Sequence, residues 1–94
     1  MGNLTQSIPN EWKIKYYALG SKTGKWQWYP ILGQPDYPLF GKTKVERITS
    51  AHKMKDKFIR DFDGEIENIM IFEKHFNGRQ IAILDKNTNQ FTFG

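Results

Sequence analysis

The sequence predicts a small α+β domain in which a mostly antiparallel sheet of five or six strands packs against one helix, in the order β-β-(β)-α-β-β-β. Three observations predict it. Residues 11–32 alternate side-chain character with the two-residue period of a pleated strand. Residues 49–62 repeat apolar side chains at helical spacing. Two continuous apolar runs then flank an Asn-Gly pair, the mark of a tight hairpin.

In the first segment the even positions are Trp12, Ile14, Tyr16 and Ala18, and the odd ones are Lys13, Lys15, Tyr17 and Leu19. In the second, Trp26, Trp28, Pro30 and Leu32 alternate with Lys25, Gln27, Tyr29 and Ile31. A hairpin through Gly20-Ser-Lys-Thr-Gly24 is expected to set Tyr16 opposite Trp28 and Lys15 opposite Tyr29. That register hides the tryptophans. It leaves Lys13, Lys15, Tyr17, Lys25 and Tyr29 on an outer face, with Lys22 at the hairpin tip.

Two prolines and two glycines in residues 33–42 exclude regular helix there, and residues 43–48 read as a short edge strand or, as the second choice, the lead into the helix. The helix is expected over about residues 49–62, capped by Thr49 or Ser50, with Ala51, Met54, Phe58 and Phe62 inward. Lys53, Lys57 and Arg60 form its opposite, basic ridge, and Gly64 offers the positive φ of a helix exit. Lys55 falls on the apolar side, where a lysine ordinarily snorkels its head to water. The runs Ile69–Phe72 and Ile81–Leu84 predict central strands covered on both faces, joined through Phe76-Asn77-Gly78-Arg79. A polar turn over residues 86–89 leads to a last strand with Phe91 and Phe93 inward. The expected core is Trp12, Tyr16, Trp26, Trp28, Phe58, Phe62, Ile69, Ile71, Ile83, Phe91 and Phe93. Residues 1–10 are expected to be a flexible lead-in and residues 11–94 a single domain.

Composition narrows the function. With no cysteine, disulfides and thiolate chemistry are excluded, which agrees with a reducing cytoplasm, the expected location. No run approaches the roughly 18 apolar residues of a membrane span. The lead-in lacks a signal-peptide pattern, and Gln6 stands where myristoylation needs Ser or Thr. The net charge of +4 is unevenly spread. Residues 1–60 hold eleven Lys or Arg and four acids, whereas residues 61–94 hold three and six. One basic face and a polyanionic or acidic partner are implied.

Catalytic patterns fail on inspection. His52 and His75 lie far apart in sequence, and two isolated histidines without cysteine match no metal-ligand spacing. Asp61-Phe-Asp63-Gly64-Glu65 starts like a calcium loop, but Ile66 and Phe72 occupy the places of its glycine and its bidentate glutamate. Gly41-Lys42-Thr43 ends like a phosphate loop, but Asp36 replaces the first glycine and Pro35 and Pro38 stiffen the backbone. The expectation is a non-enzymatic protein with no catalytic residue, cofactor or metal.

The interleaved lysines and tyrosines suit a nucleic-acid-binding accessory protein. Ammonium groups attract phosphates and phenol rings stack on unpaired bases, with Lys53, Lys57 and Arg60 adding backbone contacts. The same residues also populate ordinary solvated strands, where lysine blunts an edge against aggregation. An alternative is a phage- or mobile-element-type interaction module or inhibitor that docks on an acidic protein surface. Tyr37, Leu39 and Phe40 would be its anchors. A homodimer follows if one helix cannot cover the central strands.

Phe40-Gly-Lys-Thr-Lys-Val-Glu46 is similar to the Phe-x-Thr-Lys-x-Glu lead into the helix of the arm-type DNA-binding module of phage and transposon tyrosine recombinases. Trp12 to Phe62, about half the chain, resembles that module, which implies a three-stranded sheet facing DNA with a helix behind it. Arg47 departs from the module's alanine, and residues 64–94 have no counterpart in it.

Overall fold

The computed structural model describes residues 10–74 and 78–94. Among them, six strands form one sheet: β1 (Trp12–Gly20), β2 (Trp26–Tyr29), β3 (Tyr37–Leu39), β4 (Gly64–Glu73), β5 (Gln80–Asp85) and β6 (Gln90–Phe93). One helix, α1 (Lys44–Asp61), stands between β3 and β4. Every strand pairing is antiparallel, and the architecture is the expected α+β one. β1 is the hub. β4 pairs along its whole length on one edge, while β2 takes the C-terminal half and β3 the N-terminal half of the other. β5 and β6 follow β4 outward. Residues 1–9 of the expected lead-in, His75, and the Phe76 and Asn77 part of the predicted turn lie outside the described residues.

The register of the first hairpin differs from expectation by one residue. Tyr16 faces Tyr29, Tyr17 faces Trp28 and Leu19 faces Trp26. The cause is the loop. Gly24 (φ 65°) donates its amide to the Gly20 carbonyl at 2.9 Å, so the loop is the four residues Ser21–Gly24 rather than five. A one-residue slip exchanges the faces of a whole strand. Trp26 and Trp28 are therefore 41% and 39% exposed, whereas Tyr29 turns to the helix side.

The helix begins at Lys44, five residues before the predicted start, and no strand occupies residues 43–48. Thr43 is its N-cap. The Thr43 hydroxyl accepts from the Glu46 amide at 3.2 Å, and the Glu46 carboxylate accepts from the Lys42 and Thr43 amides, each at 3.0 Å. This is where Phe40–Glu46 sets a helix start on the resemblance. The additional strand is β3, formed instead by Tyr37–Leu39. At the other end the chain leaves through Phe62 in an extended conformation, so Gly64 does not serve the helix exit. It opens β4 at φ 152°, where a Cβ would overlap the Leu19 carbonyl oxygen.

α1 covers one face of the sheet. Trp12, Ile14, Tyr16, Leu39, Ala51, Ile69, Ile71 and Ala82 are buried there, with Phe58, Phe91 and Phe93 packed around them. Tyr16 stacks on Phe58 at 3.8 Å between centroids. Lys55 does not snorkel. It is 2% exposed, and its ammonium donates to Asn89 Oδ1 at 2.8 Å and pairs with Asp56 at 2.9 Å, tying α1 to the β5–β6 turn. Arg47 is buried over the Trp12 ring and donates to the Gly41 and Asn10 carbonyls. The predicted two-sided burial of the central strands is not met. Alternate residues of β4 are only half-buried, because no second helix or sheet among the described residues covers that face.

Candidate functional site

The uncovered face of the sheet carries the most distinctive surface among the described residues. Register places Lys13, Lys15, Tyr17 and Leu19 of β1 on it, beside Trp26 and Trp28 of β2 and Asn68, Met70 and Phe72 of β4. The rings form a continuous row. Tyr17 lies 5.8 Å from Trp26, nearly parallel at 19°, and 5.1 Å from Trp28. Trp28 meets Phe72 edge-on at 6.1 Å, and the Lys15 ammonium sits 5.0 Å above the Phe72 centroid. Neighbouring rings hold one another in place, which lowers the entropy that a ligand must remove on binding.

The predicted site residues divide between this face and elsewhere. Lys15 and Tyr17 belong to it. Lys13 is on it too, but its ammonium pairs with Asp36 at 3.6 Å and its side chain is 14% exposed. Lys22 and Lys25 are exposed on the β1–β2 loop, Lys25 directly before Trp26. Tyr29 is a correction. It packs edge-on to Phe62 at 5.1 Å, its ring is 5.8 Å from Phe58, and its hydroxyl accepts from Gln27 at 3.2 Å. Lys53, Lys57 and Arg60 are exposed on α1, behind the sheet, so they cannot extend the open face; Arg60 pairs with Asp61. In the β2–α1 connection, Leu39 is buried and Tyr37 leans on Tyr16 at 6.0 Å, so only Phe40 of the three expected anchors is exposed.

Trp26, Trp28 and Phe72 were not expected at the surface. The signal lay in the loop, where a glycine in fourth position permits the left-handed residue that closes a four-residue turn. A solvent-open cleft of about 370 Å³ occurs on the helix side, lined by Tyr16, Tyr37, Phe58, Phe62, Lys57 and Asp61. Burial pushes the Tyr16 phenol well above its ordinary range, with Tyr37 adding to the shift. Burial, and next the Lys55 charge, lower the pKa of His52, which is edge-on to Phe91 at 5.1 Å. No group of three or more His, Asp or Glu side chains among the described residues is placed to hold a metal ion. No helix among them is long and apolar enough to cross a membrane.

No protein-family model matches the chain, and no curated protein or solved structure matches it.

Proposed function

We propose that the protein is a non-enzymatic nucleic-acid-binding accessory protein that takes unpaired strands on the open face of its sheet. The row Trp26–Tyr17–Trp28–Phe72, with Lys15 over Phe72, is the observation that carries this reading. It replaces the lysine–tyrosine surface expected from the sequence. Two tryptophans about two-fifths exposed leave large apolar area in water, and base faces cover such area well. Each stacked base contributes roughly 1–3 kcal/mol, and the lysines add a salt-sensitive attraction for phosphate. Bases inside a duplex have no free face to offer, so single strands are the preferred form.

The test is fluorescence anisotropy with a labelled single strand and its duplex at about 50 and about 200 mM salt. The expected result is preference for the single strand, quenching of tryptophan emission, and weaker binding at the higher salt. No measurable binding at the lower salt, or equal affinity for duplex, overturns the reading. A second copy of the chain is the competing occupant of this face, since Met70 and Ile83 also point to it. Light scattering separates the two: a dimer that binds no oligonucleotide counts against nucleic acid.

One observation favours a second reading, docking on a protein. Leu32 is fully exposed, Phe40 is 71% exposed and Ile31 is 42% exposed, all in the β2–α1 connection. Nuclease-resistant capture of one partner, lost in the Leu32→Ser and Phe40→Ser variants, would establish it.

A further inference from the structure

Asn68 stands opposite Tyr17, in β4, on the open face. Asparagine is uncommon inside strands, where it adds no packing and competes for backbone hydrogen bonds. No hydrogen bond engages its carboxamide among the described residues, and no half-buried side chain there hides an unpartnered polar atom. The amide therefore faces solvent with its donor and acceptor unused. The Tyr17 ring leans the other way, towards Trp26 and Trp28, and makes no ring contact on the β4 side. A bulge lies beside it: Tyr17 faces Asn68 but Ala18 faces Ile66, so Glu67 is the additional residue. Such bulges re-aim the side chains next to them.

We infer that Asn68 is a base-contacting residue that hydrogen-bonds the edge of a base stacked on the Tyr17–Trp28 rings, and that the base must offer a donor beside an acceptor, as adenine does. This rests on the nucleic-acid reading above and deepens it. A carboxamide presents one donor and one acceptor side by side, and adenine answers with N6–H and N7. An unpaired adenine offers a second such pair, N6–H and N1, on its other edge. The amide is thus matched whichever edge the stacked base turns to it. The rings hold the base plane, Lys15 draws the phosphate, and Asn68 holds the base edge.

The test compares single-stranded oligomers of about ten nucleotides, long enough for one site of this kind. One is all adenine. In the other, purine without the 6-amino group replaces adenine, which keeps the stacking ring and removes the N6 donor. Wild-type protein is expected to bind the adenine oligomer about tenfold more tightly, within the range for one bidentate base contact. Asn68→Ala is expected to bind both alike, at the wild-type affinity for the purine oligomer. The oligomer comparison alone tests the inference in unaltered protein, should the variant not fold. Equal binding of both oligomers by the wild type, or discrimination that survives in Asn68→Ala, overturns this inference while leaving nucleic-acid binding intact. Absence of binding to either oligomer overturns both.

Discussion

Replacing Trp28 and Tyr29 separately by alanine tests the register of the first hairpin together with the proposed binding face. The two residues are neighbours in β2 but point to opposite sides of the sheet. Trp28 is 39% exposed and touches Tyr17 and Phe72, with centroids 5.1 and 6.1 Å away. A fully buried aromatic costs about 3–5 kcal/mol on truncation, much of it from the cavity left behind. A ring lying on an open face leaves no closed cavity, so Trp28→Ala is expected to cost about 1–2 kcal/mol of stability. Its effect on binding is larger in proportion. Loss of one stacking plane is worth about 1–3 kcal/mol, a factor of about 5 to 150 in Kd. Tyr29 packs at 5.1 and 5.8 Å from Phe62 and Phe58 on the helix side. Tyr29→Ala should therefore destabilise the fold by about 2–3 kcal/mol, yet leave the affinity of the folded protein within about twofold. Urea denaturation gives the stabilities, and anisotropy of a labelled oligonucleotide at about 50 mM salt gives the affinities. A folded Trp28→Ala protein that binds like the wild type refutes the argument. So does a Tyr29→Ala protein whose folded fraction loses as much affinity as Trp28→Ala.

Four further outcomes follow from the contacts described. Thr43→Ala removes the hydroxyl that caps α1 and should cost about 1 kcal/mol in urea denaturation. Hydrogen bonds from the Lys42 and Thr43 amides hold the Glu46 carboxyl below its ordinary 4.5. A carboxyl with a depressed folded pKa stabilises above its unfolded pKa, and that contribution disappears as pH falls through the folded value. Glu46→Gln should accordingly flatten the acid limb of a stability–pH profile below about pH 4.5 without steepening the neutral region. Lys55→Ala leaves Asn89 Oδ1 without its donor and should cost about 1.5–3 kcal/mol, while Lys55→Met, which keeps the apolar stem, should recover part of that in thermal melts. Gly64→Ala forces a Cβ into the Leu19 carbonyl where β1 meets β4, and should lower stability by at least about 2 kcal/mol in the same melts.

The sequence shows its structure where the information is local. The parity of Trp12, Ile14, Tyr16 and Ala18 predicts the buried face of β1, and those four are buried. Apolar spacing from Ala51 to Phe58 finds the helix but not its start, because Thr49 and Ser50 are also good caps; the Thr43–Glu46 capping box is the better signal. The site failed at a single step. One loop residue more or fewer reverses β2, and the alternation of Trp26, Gln27, Trp28 and Tyr29 is compatible with both outcomes. Lys55 illustrates information that is not local at all. Its partner Asn89 is 34 residues away and belongs to a turn that only the folded sheet brings under the helix. Continuous apolar runs likewise overstated burial: Met70 and Phe72 complete the apolar stretch of β4, yet no helix or sheet among the described residues covers the face they point to.

β2 and β3 grip separate halves of one edge of β1, so the chain between them is fastened at both ends by pairings that do not depend on its own length. Leu32 is fully exposed there, within the Ile31–Gln34 reverse turn that the Gln34 amide closes on the Ile31 carbonyl. Foreign peptide grafted next to Gly33 would hang from two anchored posts without shifting the pleat of either strand. That makes residues 32–34 the natural socket for an affinity tag or a reporter dye when the protein is attached to a surface, leaving the row of rings on the sheet unmodified.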